Sequence, residues 1–242
     1  MSSKYDKIKE RVALACRIAY NEGLYEHTGD EFAGHVSVRD EEDENLVIMP
    51  GHIHDKGRGF ANVTKDDIIV INLDRKVIEG NIEPMEESII HTTIYRARRE
   101  IKSVTHLHAP TAVALASTDQ KILMLSIRSA YFAEGVPILE RGPGIILGEK
   151  DAQEMLEKMN GRNFLIHKGH GIVTAGTNLF EACLLALYLE GAARNQIVAA
   201  DFGGKLVEFD RKAALDFART HSLAEREFIW NYYENKWREE TR

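Results

Sequence analysis

Apolar and polar positions alternate with two different periods along this chain, and the changes of period mark its elements. Ile8, Val12, Leu14, Ala15, Ile18 and Ala19 recur at helical spacing, which predicts an amphipathic helix from about Tyr5 to Glu22, stopped by Gly23. Gly34–Arg39 and Leu46–Met49 read as two strands joined by the acidic turn Asp40 to Asn45, a hairpin whose acids are solvated. A continuous apolar strand follows in Asp66–Asp74, with a turn at Asp74-Arg75 and a short strand Lys76–Glu79.

Helical spacing returns in Glu86–Arg99. The β-branched stretch beginning at Ser103 predicts a strand running to His108, and Pro110 opens a helix through Ala116. The apolar run Ile122 to Ile127 comes next, then Val136 to Leu139 and Gly144 to Leu147 as short strands, then a helix over Asp151–Met159. Phe164–His167 is an apolar strand that meets glycines at Gly169 and Gly171. Asn178 with Glu181 three residues on resembles a helix N-cap and its partner, opening a long helix through Ala200 with Leu184, Leu185, Leu187 and Leu189 as core. From about Arg211 to Trp237 a charged, aromatic-rich amphipathic stretch forms a helical tail. With no repeat and no composition break, one α/β domain over residues 1–242 is expected.

Composition narrows the class. An apolar fraction of 44% and a charged fraction of 29% are those of an ordinary folded protein, and no stretch approaches the length needed to cross a bilayer. The N-terminal residues lack the apolar core of a signal peptide, so a cytoplasmic location is expected, with no membrane partner. A formal charge of −7 with scattered Lys and Arg argues against nucleic acid as a partner. Cys16 and Cys183 both fall in apolar helical patterns, as buried free thiols do.

The chemistry concentrates in a few histidines. In a strand, His106 and His108 project from one face, which makes half a metal site. Further ligands are available in Glu87, four residues before His91 on the same helical pattern, and in His170 beside the glycines. His91 itself reads as a residue that supports the ligands or packs behind Glu87, and His167 as a structural or pocket-wall residue. The glycine-rich loop Met49–Gly59 carries His52, His54, Asp55, Lys56 and Arg58 and is long enough to reach over a pocket.

Glu87, the pair His106-Leu-His108 and the run His170-Gly-Ile-Val-Thr, with Gly34-His-Val-Ser37 ahead of them, together resemble the class II aldolase/adducin family over about residues 8 to 200. The resemblance implies a three-layer α/β/α fold around a central mixed, largely antiparallel sheet, and a divalent metal ion, Zn2+ first and Mn2+, Co2+ or Fe2+ otherwise. Its ligands would be His106, His108 and His170, with Glu87 as ligand or catalytic acid/base. It also implies a homotetramer with active sites at subunit interfaces. Members include sugar-phosphate aldolases, an epimerase, a dehydratase, decarboxylases, and the non-catalytic domain of adducin, which lacks the ligands.

The sugar-phosphate members carry Asn where this chain has His35, a Thr-Gly segment where it has Met49-Pro-Gly-His52, and paired Ser where it has Met85-Glu86. An anionic Glu86 repels a phosphate dianion, so a non-phosphorylated carboxylate is the expected substrate. The Gly-His-x-Ser form resembles the branch that decarboxylates hydroxylated aromatic or pyridine carboxylates through a metal-stabilised enolate. His35, Ser37, His52, His54, Arg58 and Arg128 are then candidate substrate-binding residues, and Tyr131 or a C-terminal tyrosine such as Tyr232 a candidate proton donor beside Glu87. The competing expectation is an aldolase, epimerase or dehydratase acting on a sugar or sugar phosphate.

Overall fold

Eight strands form one sheet in the computed structural model, which describes residues 3–26, 33–53, 59–142 and 144–239. The strands are β1 (His35–Arg39), β2 (Leu46–Pro50), β3 (Ile68–Asn72), β4 (Val77–Glu79), β5 (Ser103–Leu107), β6 (Ile138–Leu139), β7 (Phe164–His167) and β8 (Gly171–Gly176). Their order is β4-β3-β2-β1-β5-β8-β7-β6. Every neighbouring pair is antiparallel except β6 with β7, so the sheet is mixed and largely antiparallel, as expected.

Helices cover both faces. α1 (Asp6–Asn21) lies on β1, β2 and β3, and α5 (Leu179–Asp201) on β8, β5 and β1, with α3 (Pro110–Ala116) beside it. α2 (Ser88–Ala97) and α4 (Glu149–Met159) pack on each other and on β5, β6 and β7. Side-chain parity shows that the two groups lie on opposite faces. Ser37 of β1 bonds to His91 and Tyr95 of α2, whereas Thr105 of β5 bonds through Thr174 to the Ala182 carbonyl of α5.

α5 forms where the pattern put it, because Asn178 accepts the Glu181 N–H at 2.9 Å and Leu184, Ala186 and Leu189 are buried beneath it. Burying each leucine contributes about 1.5–3 kcal/mol. The tail divides in two: α6 (Arg211–Thr220), capped by Asp210, and α7 (Glu227–Glu239). Trp230 of α7 is buried, and Lys236 and Trp237 both reach Glu22 just past α1. No helix among the described residues is long and apolar enough to cross a membrane.

Two expected elements differ. Gly144–Leu147 is not a strand, because its peptide groups bond to side chains of the site described below instead of to a neighbouring strand. Glu87 is not inside α2 but is its N-cap residue, its carbonyl accepting the Ile90 N–H at 3.0 Å.

Candidate metal centre

The antiparallel sheet brings three chain segments to one end of β5. His106 is the penultimate residue of that strand and His108 lies just past its end; His170 sits in the turn from β7 to β8; Glu87 enters from the start of α2. One ligand atom from each of these four residues lies within 4.8 Å of all the others. Glu87 Oε2 is 3.1 Å from His106 Nε2 and 3.4 Å from His170 Nε2, and the Nε2 atoms of His106 and His108 are 3.3 Å apart. The three rings meet edge-on, with centroids 4.8 to 5.1 Å apart.

Backbone carbonyls decide which nitrogen faces the centre. His106 Nδ1 lies 3.2 Å from the Ile172 oxygen and His170 Nδ1 lies 3.3 Å from the Gly144 oxygen. A carbonyl only accepts, so each Nδ1 carries the proton and each Nε2 turns a lone pair inward. Lone pairs and a carboxylate directed at one another repel unless a cation lies among them. The donor set therefore fits a divalent ion, with the nitrogen and oxygen ligands that zinc and its neighbours take.

The carboxylate is held from the other side. Ile146 donates its N–H to Glu87 Oε1 at 2.8 Å, leaving Oε2 for the imidazoles. Burial acts to raise the Glu87 carboxyl, and with both imidazoles neutral and their lone pairs turned toward it, a cation among the four ligands is what would hold it ionised. His106 is lowered by its own burial and stays neutral, the form in which imidazole binds metal. Gly171 keeps this packing possible: a Cβ there would stand 2.7 Å from the Leu107 oxygen, 3.0 Å from His106 Cε1 and 3.1 Å from His108 Cδ2.

The candidates for substrate contact separate into groups. His35 is paired with His106 in register, is 1% exposed, and its ring centroid lies 5.5 Å from that of His106, so it belongs beside the centre. Ser37 is fully buried behind it, its hydroxyl 2.6 Å from His91 Nδ1 and 2.8 Å from the Tyr95 hydroxyl. It therefore supports His35 from the interior. His52 donates its backbone N–H to the Glu83 carbonyl at the end of β2. His54 and Arg58, like Asp55 and Lys56, lie outside the described residues.

Arg128 lies over the Tyr188 ring at 5.8 Å, and Tyr131 donates its hydroxyl to the His221 carbonyl at 2.7 Å while packing on Tyr188 and Phe217. Within this chain those contacts are with α5 and the end of α6. His167 stands behind His170, with ring centroids 4.8 Å apart, and burial pushes its imidazole down to about 4.

Sequence reading missed the groups that orient the ligands. Tyr95 was detectable, being four residues past His91 and eight past Glu87. The Ile146 amide and the Gly144 and Ile172 carbonyls carry no side-chain signal. Glu190 also escaped notice: this buried acid accepts the Thr111 and Ala112 N–H groups at the start of α3, just past His108.

Comparison with known proteins agrees with this geometry. Residues 10–197 match the family model described as the class II aldolase and adducin N-terminal domain. The chain is 30% identical over 208 residues to a 3,4-dihydroxyphthalate decarboxylase of Arthrobacter keyseri, covering 82% of this chain and 81% of the relative. It is 26% identical over 189 residues to a 5-deoxy-D-ribulose 1-phosphate aldolase of Bacillus thuringiensis, covering 78% of this chain and 83% of that one. Among solved structures, L-fuculose 1-phosphate aldolase from Glaciozyma antarctica PI12 shares the fold with a TM-score of 0.79 at 24% identity, over 96% of this chain and 88% of that one.

Proposed function

We propose that this chain, which belongs to the class II aldolase and adducin family, is a divalent-metal-dependent carbon–carbon lyase whose reaction is the decarboxylation of a hydroxylated aromatic or pyridine carboxylate. The observation that carries the lyase reading is the convergence of Glu87, His106, His108 and His170 on one point, with the Nε2 lone pairs of His106 and His170 turned inward. One feature supports decarboxylation over the cleavage of a sugar phosphate: His35 stands where the phosphate-binding members carry Asn. Dihydroxyphthalate decarboxylases match this chain at 29 to 31% identity and ketose-phosphate aldolases at 26 to 30%.

His106, His108 and His170 would hold the ion, with Glu87 as a fourth ligand in the resting site; Zn2+ suits this set, and Mn2+, Co2+ and Fe2+ are the alternatives. When bound, a divalent cation acts as a Lewis acid that stabilises negative charge on an oxygen next to the breaking bond, and three neutral imidazoles leave its charge undiminished. The chain's own groups manage the proton. Once substrate has displaced its Oε2 from the resting ligand set, Glu87, anionic and pinned through Oε1, takes the proton of the substrate hydroxyl on Oε2 and returns it to the ring carbon as the carboxylate departs as CO2. That balance leaves the product as its phenolate, which solvent reprotonates.

Within one chain Arg128 and Tyr131 are engaged by α5 and the end of α6, and we place their contribution to the site across the interfaces of a homotetramer. Incubation of the metal-loaded protein with 3,4-dihydroxyphthalate, hydroxylated pyridine dicarboxylates and ketose 1-phosphates tests the assignment. Release of CO2 from the aromatic acids is expected; aldehyde release from a ketose phosphate without CO2 would reassign the chain as an aldolase.

A further inference from the structure

Behind the metal centre runs an unbroken line of buried polar groups that the lyase reading does not use. His35 Nδ1 is 2.6 Å from His91 Nε2, His91 Nδ1 is 2.6 Å from Ser37 Oγ, and Ser37 Oγ is 2.8 Å from the Tyr95 hydroxyl. All four residues are at most 1% exposed, so water does not supply alternative partners. Each proton in the line must therefore be assigned to one of its two neighbours.

The far end sets the direction. A buried tyrosine hydroxyl must donate, and the acceptor within reach of Tyr95 is Ser37 Oγ. Ser37 can pass its own proton to His91 Nδ1 at 2.6 Å or to the Val104 carbonyl at 3.4 Å, and the second separation is beyond ordinary hydroxyl hydrogen bonds. His91 then accepts at Nδ1 and carries its proton on Nε2, which it donates to His35 Nδ1. His35 is left with its proton on Nε2. That nitrogen is the one not engaged by His91, on a ring whose centroid lies 5.5 Å from that of His106.

We infer that His35 is locked as the Nε2–H tautomer and presents a neutral hydrogen-bond donor to the substrate beside the metal centre, and that His91, Ser37 and Tyr95 are positioning residues that fix this state. The ligand it suits is an anionic oxygen: the carboxylate of the substrate, or the oxygen on which charge gathers as the carbon–carbon bond breaks. A neutral donor held in place costs no reorganisation when that charge develops. Lacking a lone pair toward the site, His35 cannot act there as a base, which leaves the proton transfer to Glu87. The role, though not the tautomer, rests on the lyase reading.

Nitrogen-15 NMR of histidine-labelled protein reads the tautomer directly, with the His35 signals identified by their loss in His35→Asn. In the wild type, both metal-free and Zn2+-loaded, His35 Nε2 is expected at a pyrrole-type shift and Nδ1 at a pyridine-type shift. Ser37→Ala and Tyr95→Phe, two variants that disturb packing differently, should each replace the single tautomer by a mixture while zinc content stays at wild-type level. They should lower kcat by about tenfold and leave KM within about twofold, because the donor acts mainly on developing charge. A protonated Nδ1 in wild-type His35, or an unchanged single tautomer in both variants, overturns the inference. The expected tautomer in a protein that turns over no carboxylate of the panel retires the decarboxylase reading and leaves the tautomer assignment standing.

Discussion

Glu87 and Ile146, 59 residues apart in sequence, are joined by one hydrogen bond: the Ile146 N–H is donated to Glu87 Oε1 at 2.8 Å. Its consequence is geometric. With Oε1 engaged by a backbone amide, the carboxylate cannot rotate freely, and Oε2 is presented to His106 and His170. The same segment accepts the Nδ1 proton of His170 at the Gly144 carbonyl, so one short piece of irregular backbone orients two of the four ligands.

Replacing Glu87 by Gln keeps the shape and an oxygen for the Ile146 amide while removing the charge and the base. Three imidazoles remain for the metal. Zinc content should stay above half an equivalent, while kcat falls about 100-fold or more, the usual worth of a positioned acid/base. Equal loss of metal and turnover, measured by metal analysis and a CO2 assay, would instead make Glu87 chiefly a ligand.

Gly171 offers a test of packing behind the ligands. Its Cβ position is already occupied at 2.7 Å by the Leu107 oxygen, with the His106 and His108 rings just beyond. Gly171→Ala must displace β5 or the two rings, and zinc affinity in competition with a chelator should weaken about 10- to 100-fold, as for other changes behind metal ligands. Wild-type affinity in that variant would show that the rings have room to spare.

Stability should depend on pH through His91. Facing it are His35 and Ser37 from β1, Tyr95 on its own helix, and more distantly His106 and Glu87; burial is the main cause that pushes its imidazole down to about 3. Its folded value lies below the unfolded value of about 6.5, so the unfolded chain takes up the proton first as pH falls. The stabilising effect is complete above about pH 6.5 and is lost progressively toward pH 3. Denaturant midpoints of metal-free protein at pH 7 and pH 5 should differ more for wild type than for His91→Phe; equal differences would remove His91 as the cause.

Glu190 secures α3, which starts two residues after His108. Its carboxylate accepts the Thr111 and Ala112 N–H groups and pairs with Arg194 at 2.8 Å. Glu190→Ala leaves two buried donors unsatisfied and should cost about 1–3 kcal/mol of unfolding free energy in denaturant titrations. A loss below about 0.5 kcal/mol, the scale of a surface substitution, would mean that the cap is dispensable.

Much of this arrangement was legible in the sequence, and what was not has physical reasons. His106 and His108 announced themselves through the two-residue period of a strand, and the hairpins β1–β2 and β3–β4 through theirs, whereas the mixed sheet as a whole was expected from the family resemblance and the β2–β3 pairing was not read at all. Glu87 was placed on the helix because a four-residue spacing cannot tell the N-cap from the first turn. His91, expected behind Glu87 as a supporting or packing residue, bonds to His35 and Ser37 of β1, and those partners, set by the pairing of β1 with β5, no local pattern reveals. The run Ile122–Ile127 shows another limit: its Leu123 and Met124 amides are held by the Gln196 and Glu208 side chains, which no local pattern reveals.

The central claim is that four side chains from three parts of the fold hold one divalent ion. Elemental analysis of the purified protein, before and after incubation with Zn2+ and removal of excess, tests it most directly when run beside His108→Ala. The account predicts about one equivalent in the wild type and less than a tenth in the variant, as expected when an imidazole ligand is removed from a small nitrogen and oxygen set. A wild-type protein that stays below about a tenth of an equivalent after reconstitution, or a His108→Ala protein that keeps a full one, would contradict it.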